Sequence, residues 1–320
     1  MNKVALLIIF NHNFEKNIER LESIYGNRFS NIFYVMPFYT GNRKDVITVY
    51  ENSYYFQGYL NRAIDQIFDE IYDHYFIIGD DLILNPKIDE KNYKSFFSLN
   101  EESGFIPNLF LLNDPAKKEP HRLFAPFWYH FYNILAFKTQ KEGIEAKAFL
   151  PDADEAEKLI SRHDMKFTSN MPRKMFFRKP IWKFSFKRIE LINNLRNIKL
   201  IFYHNILLII NPKKIPYPLV GSYSDCVIIP KRGARQFSRY CGIFAALDLF
   251  VEAAIPTALT FSVDKIIQEK DLENKGLTFW LQHESIEFLT AYDFSLTKLE
   301  DNFPANTLYI HPVKLSKMTK

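Results

Sequence analysis

The stretch Tyr75-Phe-Ile-Ile-Gly-Asp-Asp-Leu-Ile-Leu-Asn-Pro86 decides how the chain is read. Phe76, Ile77 and Ile78 form an apolar run of strand length, Gly79 turns the backbone, and Asp80 and Asp81 stand together where the strand ends. Two adjacent carboxylates there invite a divalent cation. Hard oxygen ligands suit Mg²⁺ or Mn²⁺, ions that keep part of their water and fill the rest of their shell from a substrate diphosphate. Solvated turn residues are the alternative for the same two acids.

Working outward, the segment is one strand in an alternating series. Val4 to Phe10 reads as a buried strand, and Asn13 is placed to cap a helix running to about Tyr25. Ile32 to Pro37 and Ile47 to Tyr50 are further strands. An amphipathic helix is expected from about Phe56 to Tyr72, with Leu60, Ile64, Ile67, Phe68 and Ile71 on its apolar face. Strands separated by helices imply a mostly parallel α/β sheet, with ligands outside the carboxyl ends of the strands, where Asp80 and Asp81 lie.

Further on, Pro151 to Ile160 carries acids in the first turn of an expected helix. Tyr217 to Pro230 reads as a turn and strand. A long helix is expected from about Gln236 to Glu252, ended by Pro256. The expected organisation is an α/β portion at 1–109, a helical aromatic and basic insertion at 110–210, and a further portion of regular structure at 211–320. There is no internal repeat and no low-complexity linker.

Composition narrows the class. A chain of 320 residues can bury a substantial core. The 31 Phe and 18 Tyr suggest aromatic-lined grooves or proximity to a membrane, although biased codon usage produces the same excess. A net charge of +4 argues against a strongly basic nucleic-acid binder. The positive charge is nevertheless concentrated at 163–199, where Lys and Arg alternate with Phe176, Phe177, Trp182 and Phe184. That segment suits an anionic membrane surface, single-stranded nucleic acid or a plain solvated face. Cys226 and Cys241 are too few for a disulfide framework, which fits a reducing cytoplasmic setting. The amino-terminal apolar run reads as a strand rather than a signal peptide, and no stretch reaches the ~18 apolar residues of a spanning helix.

Taken together, a strand-helix-strand half, a strand ending in acids near residue 80 and a late histidine resemble the GT-A nucleotide-sugar glycosyltransferases. The resemblance spans most of the chain in order, with 110–210 matching least; it implies a nucleotide-sugar-binding half at 1–109, an insertion at 110–210 facing acceptor or membrane, and an acceptor-binding half with a C-terminal metal and diphosphate segment at 211–320. The family's marker is a DxD-type motif. Here it corresponds to Gly79-Asp80-Asp81, with glycine in place of the first acid. The resemblance makes Asp81 the metal ligand and lets Asp80 assist it or take over the contact to sugar or ribose. His311, in Tyr309-Ile-His-Pro-Val-Lys-Leu-Ser316, would complete the shell of Mn²⁺ or Mg²⁺, with Lys314 meeting diphosphate charge. Asn11 and Asn13 would approach the base and ribose of a UDP-sugar donor, and Gln57, Gly58 and Arg62 would face the same donor.

The acceptor implied is a glycan or lipid-linked glycan of a bacterial surface polysaccharide, reached from the cytoplasm or the inner membrane face. Asp225, Asp248 and Glu252 are candidate catalytic acids. Asp248 and Glu252 have the i, i+4 spacing that shares a helix face, and Glu252 in an apolar context is the favoured base. Competing readings are a non-catalytic sugar-nucleotide or polyanion-binding module and a nucleotidyl-transferring polymerase of Gly-Asp-Asp type. Against the polymerase, the acids upstream of Asp80 fall in or just after an expected helix.

Overall fold

The computed structural model describes residues 3–112, 145–167 and 217–319. The aromatic cluster at 124–132 and nearly all of the basic segment 163–199 lie outside the described residues.

Seven strands form one sheet: β1 (Val4–Ile9), β2 (Ile32–Pro37), β3 (Val46–Val49), β4 (His74–Gly79), β6 (Ser103–Phe105), β9 (Cys226–Pro230) and β10 (Lys265–Ile267). Their spatial order is β10-β6-β9-β4-β1-β2-β3. Strand β9 runs antiparallel to both neighbours, and every other pair is parallel. The fold is therefore mixed α/β with a mostly parallel central sheet flanked by helices. Its strands come from both 1–109 and 211–320, so those two portions share one sheet.

The sheet is covered on both faces because its central strands are apolar at nearly every position, His74 at the start of β4 being the exception. All six residues of β1 are buried. Alternation sends Val4, Leu6 and Ile8 into one core with Ile18, Leu21 and Ile24 of α1 (Ile18–Tyr25). Ala5, Leu7 and Ile9 enter the other core with Leu60 and Ile64 of α2 (Phe56–Ile67).

Short elements complete the frame. β5 (Ile83–Leu84) follows the Asp80-Asp81 turn, α3 (Tyr93–Phe96) precedes β6, and β7 (Phe110–Leu111) pairs antiparallel with β8 (Val220–Gly221). As expected, α4 (Ala153–Ser161) carries Asp154 and Glu155 in its first turn, and Asp152 caps it by accepting from Glu155 N–H at 2.8 Å. Two helices, α5 (Lys231–Ala246) and α6 (Val251–Ser262), pack on the α2 face. A small second sheet places β12 (Thr307–His311) between β5 and β11 (Lys275–Thr278), and α7 (Gln282–Thr290) and α8 (Leu296–Asp301) lie between β11 and β12 in the chain.

Three local expectations are corrected. Asn13 caps no helix: its side chain donates to Phe38 O at 2.7 Å, while a 3-10 turn at Glu15–Asn17 precedes α1. Helix α2 stops at Ile67, because Phe68 leaves helical geometry and Asp69 Oδ1 captures the N–H of Ile71 in a turn. Ile71 is thus exposed, not on an apolar face.

The third correction concerns Pro256, which does not end a helix but sits inside α6. A proline cannot donate to the carbonyl four residues earlier, here that of Glu252. Ser222 N–H donates to that carbonyl instead, at 3.0 Å. The bond compensates the proline and ties the first turn of α6 to the end of β8. Among the described residues no helix is long and apolar enough to cross a membrane.

Candidate functional site

The site is built where four chain segments meet at the carboxyl end of β4. Strand β4 delivers Gly79, Asp80 and Asp81, and β9 runs antiparallel beside it, so the residue before β9, Asp225, arrives at the same end. Gly79 N–H donates to Asp225 O at 3.1 Å, and Asp80 N–H donates to Ile9 O of β1 at 2.9 Å. The carbonyl of Asp81 accepts from Val313 N–H at 2.6 Å, which draws the segment after β12 over the acids. Backbone hydrogen bonding therefore fixes each element before any side chain acts.

At the centre His311 Nε2 lies 3.3 Å from Asp81 Oδ1 and 3.6 Å from Asp225 Oδ1. Burial pulls the imidazole pKa down. The charge of Asp225, the hydrogen bond to Asp81, and the charges of Asp81 and Glu252 outweigh burial and raise it to about 9. Asp225 is itself pushed up by burial, with His311 acting in the opposite direction. Three carboxylates thus converge on one imidazole, and the cluster favours a positive charge at its centre.

Asp80 has different partners. Burial, with Asp81 beside it, pushes its pKa up to about 7, while the backbone N–H of Asn11 and the side chain of Asn17 bond to it and pull the other way. Asn17 is buried at the start of α1 and was not a candidate in the sequence. Glycine at position 79 also has a local reason. A Cβ there would come within 3.1 Å of Asp81 Oδ1, so a side chain in place of the missing first acid would crowd the carboxylate that His311 meets.

The donor set of Asp81, Asp225 and His311 combines carboxylate oxygens with an imidazole nitrogen, which suits Mn²⁺. As the side chains stand, no group of three His, Cys, Asp or Glu among the described residues is spaced to hold a metal ion. The imidazole is paired with both acids instead. His311 Nδ1 is buried with no hydrogen-bond partner among the described residues.

The other candidates divide. Glu252, in the first turn of α6, belongs to the cluster through its charge on His311. Asp248 does not share a helix face with it, because Asp248 sits between α5 and α6 with φ of 56° and accepts from the Tyr55 hydroxyl. Gln57 is fully buried and donates to Leu249 O at 2.6 Å, so it ties α2 to that same turn and does not face a donor. Gly58 lies where a Cβ would stand 3.6 Å from Ala245 Cβ, at the contact of α2 with α5. Arg62 is exposed and donates to Thr48 O of β3 at 3.3 Å. Lys314 is exposed just beyond His311, before a 3-10 turn at Leu315–Lys317.

A cavity of about 160 Å³ opens beside the cluster, lined by Asp225 and His311 together with Asn108, Tyr223, Glu269, Thr278 and Trp280. None of the last five was a candidate in the sequence, since they come from separate loops and strand ends that only the fold unites. Compared with models of protein families and with curated proteins, the sequence finds no match to either.

Proposed function

We propose that the chain is a metal-dependent glycosyltransferase of GT-A type, moving a sugar from a nucleotide donor, UDP-sugar by preference, to a glycan or lipid-linked glycan. One observation carries the reading: the ends of β4 and β12 and the start of β9 bring Asp81 and Asp225 within 3.6 Å of the same nitrogen of His311. Ligands of parallel α/β sheets bind outside the carboxyl ends of the strands, and this cluster lies there. It is also the position to which the DxD resemblance assigns the metal.

Asp81 and His311 would hold the ion, with Asp225 the next carboxylate at hand. When bound, Mn²⁺ or Mg²⁺ supplies positive charge to the leaving diphosphate. Lys314, exposed next to His311, adds a second positive charge on that side. Asp80, bonded to Asn11 N–H and Asn17, faces the β1 loop, where a ribose hydroxyl finds a polar partner. Glu252 is the base of the transfer. The acceptor hydroxyl oxygen bonds to the anomeric carbon, the bond from that carbon to the diphosphate oxygen breaks with its electron pair leaving on UDP, and the hydroxyl proton passes to the Glu252 carboxylate.

UDP release from a panel of UDP-sugars, followed with and without Mn²⁺, tests the reading. Slow metal-dependent hydrolysis is expected from the parent protein and none from Asp81→Ala. Release that ignores both the metal and Asp81 removes the metal-dependent reading, and none from any nucleotide sugar removes the proposal in favour of a non-catalytic binding module.

A further inference from the structure

Helix α6 is fastened to strand β8 along a seam of buried polar groups. Pro256 lacks the N–H that would bond the Glu252 carbonyl within the helix, and that carbonyl accepts from Ser222 N–H at 3.0 Å. Further along the helix the Thr257 hydroxyl accepts from Val220 N–H at 3.1 Å and donates to Val220 O at 3.2 Å. Helix and strand are in register at these two anchors. From Glu252 to Thr257 a helix rises about 7.5 Å, and from Val220 to Ser222 a strand rises about 6.6 Å. Gly221, between the anchors, lies against the Phe110 ring of β7, which an added Cβ would approach to 2.6 Å, so β8 has little room to slide. Ser222 and Thr257 are fully buried, and no water stands ready to replace their bonds.

Both helical residues carry a local cost. Proline is the least favourable residue inside a helix, and a hydroxyl at a fully buried position must find partners. The same strand answers both. That strand leads directly into the acid cluster: Asp225 follows Ser222 by three residues, and its carbonyl accepts from Gly79 N–H at 3.1 Å. On the other side of the seam, Glu252 stands in the first turn of α6 and acts on His311 through its charge. The seam therefore joins the supports of two acids that face one imidazole.

We propose that Pro256 and Thr257 are positioning residues, which hold β8 in register along α6 and so set the Glu252 and Asp225 carboxylates against His311. What those acids do to a substrate rests on the glycosyltransferase reading, whereas their placement by the seam does not. Alanine at 256 would return an intrahelical N–H to the Glu252 carbonyl and relieve the clash between that carbonyl and the proline ring. The carbonyl then turns back along the helix axis, Ser222 N–H loses its acceptor, and β8 shifts with Asp225 beyond it.

Three readouts on the full chain test this: hydrogen exchange of the Ser222 amide, the His311 ring resonances of the metal-free protein at one fixed pH, and UDP-sugar turnover with Mn²⁺. The ring signals are assigned by their loss in His311→Ala. In Pro256→Ala the Ser222 amide should exchange about tenfold faster or more, and the His311 resonances should move. Turnover should fall about 10- to 100-fold with KM for the donor unchanged, the scale expected when reacting groups are displaced by about 1 Å. Melting temperature should not fall, since alanine is the better helix residue, and a merely structural proline would not separate stability from turnover in this way. Thr257→Val, which removes the second anchor, should move the same resonances and lower turnover. Thr257→Ser keeps the hydroxyl and should restore both. Unmoved His311 resonances in Pro256→Ala, parental turnover in both Pro256→Ala and Thr257→Val, or a serine variant that behaves like the valine one overturns the inference. Resonances that move as expected while no protein, parent included, turns over a UDP-sugar would uphold the positioning and remove the glycosyltransferase reading.

Discussion

Two histidines at opposite ends of the sheet show how the same fold treats the same side chain in two ways. His74 opens β4 and is fully buried, with Nδ1 2.9 Å from the Tyr93 hydroxyl and Nε2 3.2 Å from Ser103 O. Burial dominates there, and the imidazole pKa falls to about 4. At the other end His311 is largely buried too, yet Asp225, Asp81 and Glu252 reverse the effect and raise it to about 9. Desolvation has the same sign at both sites, so the neighbours decide. One end uses its histidine as neutral packing with satisfied hydrogen bonds. The other concentrates negative charge that a cation can satisfy.

The largest expected effect lies at the charged end. Asp81→Ala should lower UDP-sugar turnover by more than about 100-fold, since a ligand contributes at least as much as the groups that orient it. Its circular dichroism should match the parent, because Asp81 meets Val313 through its backbone carbonyl, which alanine keeps. Next comes Glu252→Gln, expected to reduce turnover about 100-fold with UDP affinity unchanged, as removal of a general base does. Lower thermal stability with unchanged turnover per folded molecule would make Glu252 a packing residue and shift the base to Asp225.

At the neutral end the effects should appear in stability alone. His74 takes a proton in the unfolded chain below about pH 6.5 but resists it in the folded protein until about pH 4. Stability should therefore be complete above pH 6.5 and decline on acidification towards pH 4, by on the order of 3 kcal/mol. Asp80, pushed up to about 7, acts in the opposite direction, so the measurement is the difference between the parent and His74→Asn in urea melts at several pH values. A difference that does not change with pH would mean that His74 titrates normally.

The smallest effect is expected between the two extremes. Asp248→Asn keeps an oxygen for the Tyr55 hydroxyl, and asparagine tolerates the φ of 56°. Turnover should not change, because Asp248 is in contact with neither His311 nor the cavity beside it. A fall in turnover would bring Asp248 back among the catalytic acids.

The charged end was partly legible in the sequence because its core is local. An apolar run closed by Gly79-Asp80-Asp81 announces a strand that delivers acids, and His311 stands at the end of another apolar run. Gln57 and Gly58 were misplaced because a buried helix face and a ligand-facing one carry the same residue pattern, and only the packing of α5 and the turn after it tells them apart. Asp248 and Glu252 have the spacing of one helix face, but a left-handed residue at 248 separates the two helices. Nothing local marked Asn17, Asn108, Glu269 or Trp280. Each acquires a role only when distant segments meet, as Asn17, just before α1, does beside Asp80.

The most direct measurement is the calorimetric affinity of UDP for the parent protein with Mn²⁺ and with a chelator in its place. A charge cluster that holds a metal-bridged diphosphate predicts binding with Mn²⁺, little or none with the chelator, and disappearance of the metal-dependent part in Asp81→Ala and His311→Ala. Equal affinity with and without the metal, or metal-dependent binding that survives both substitutions, would contradict it.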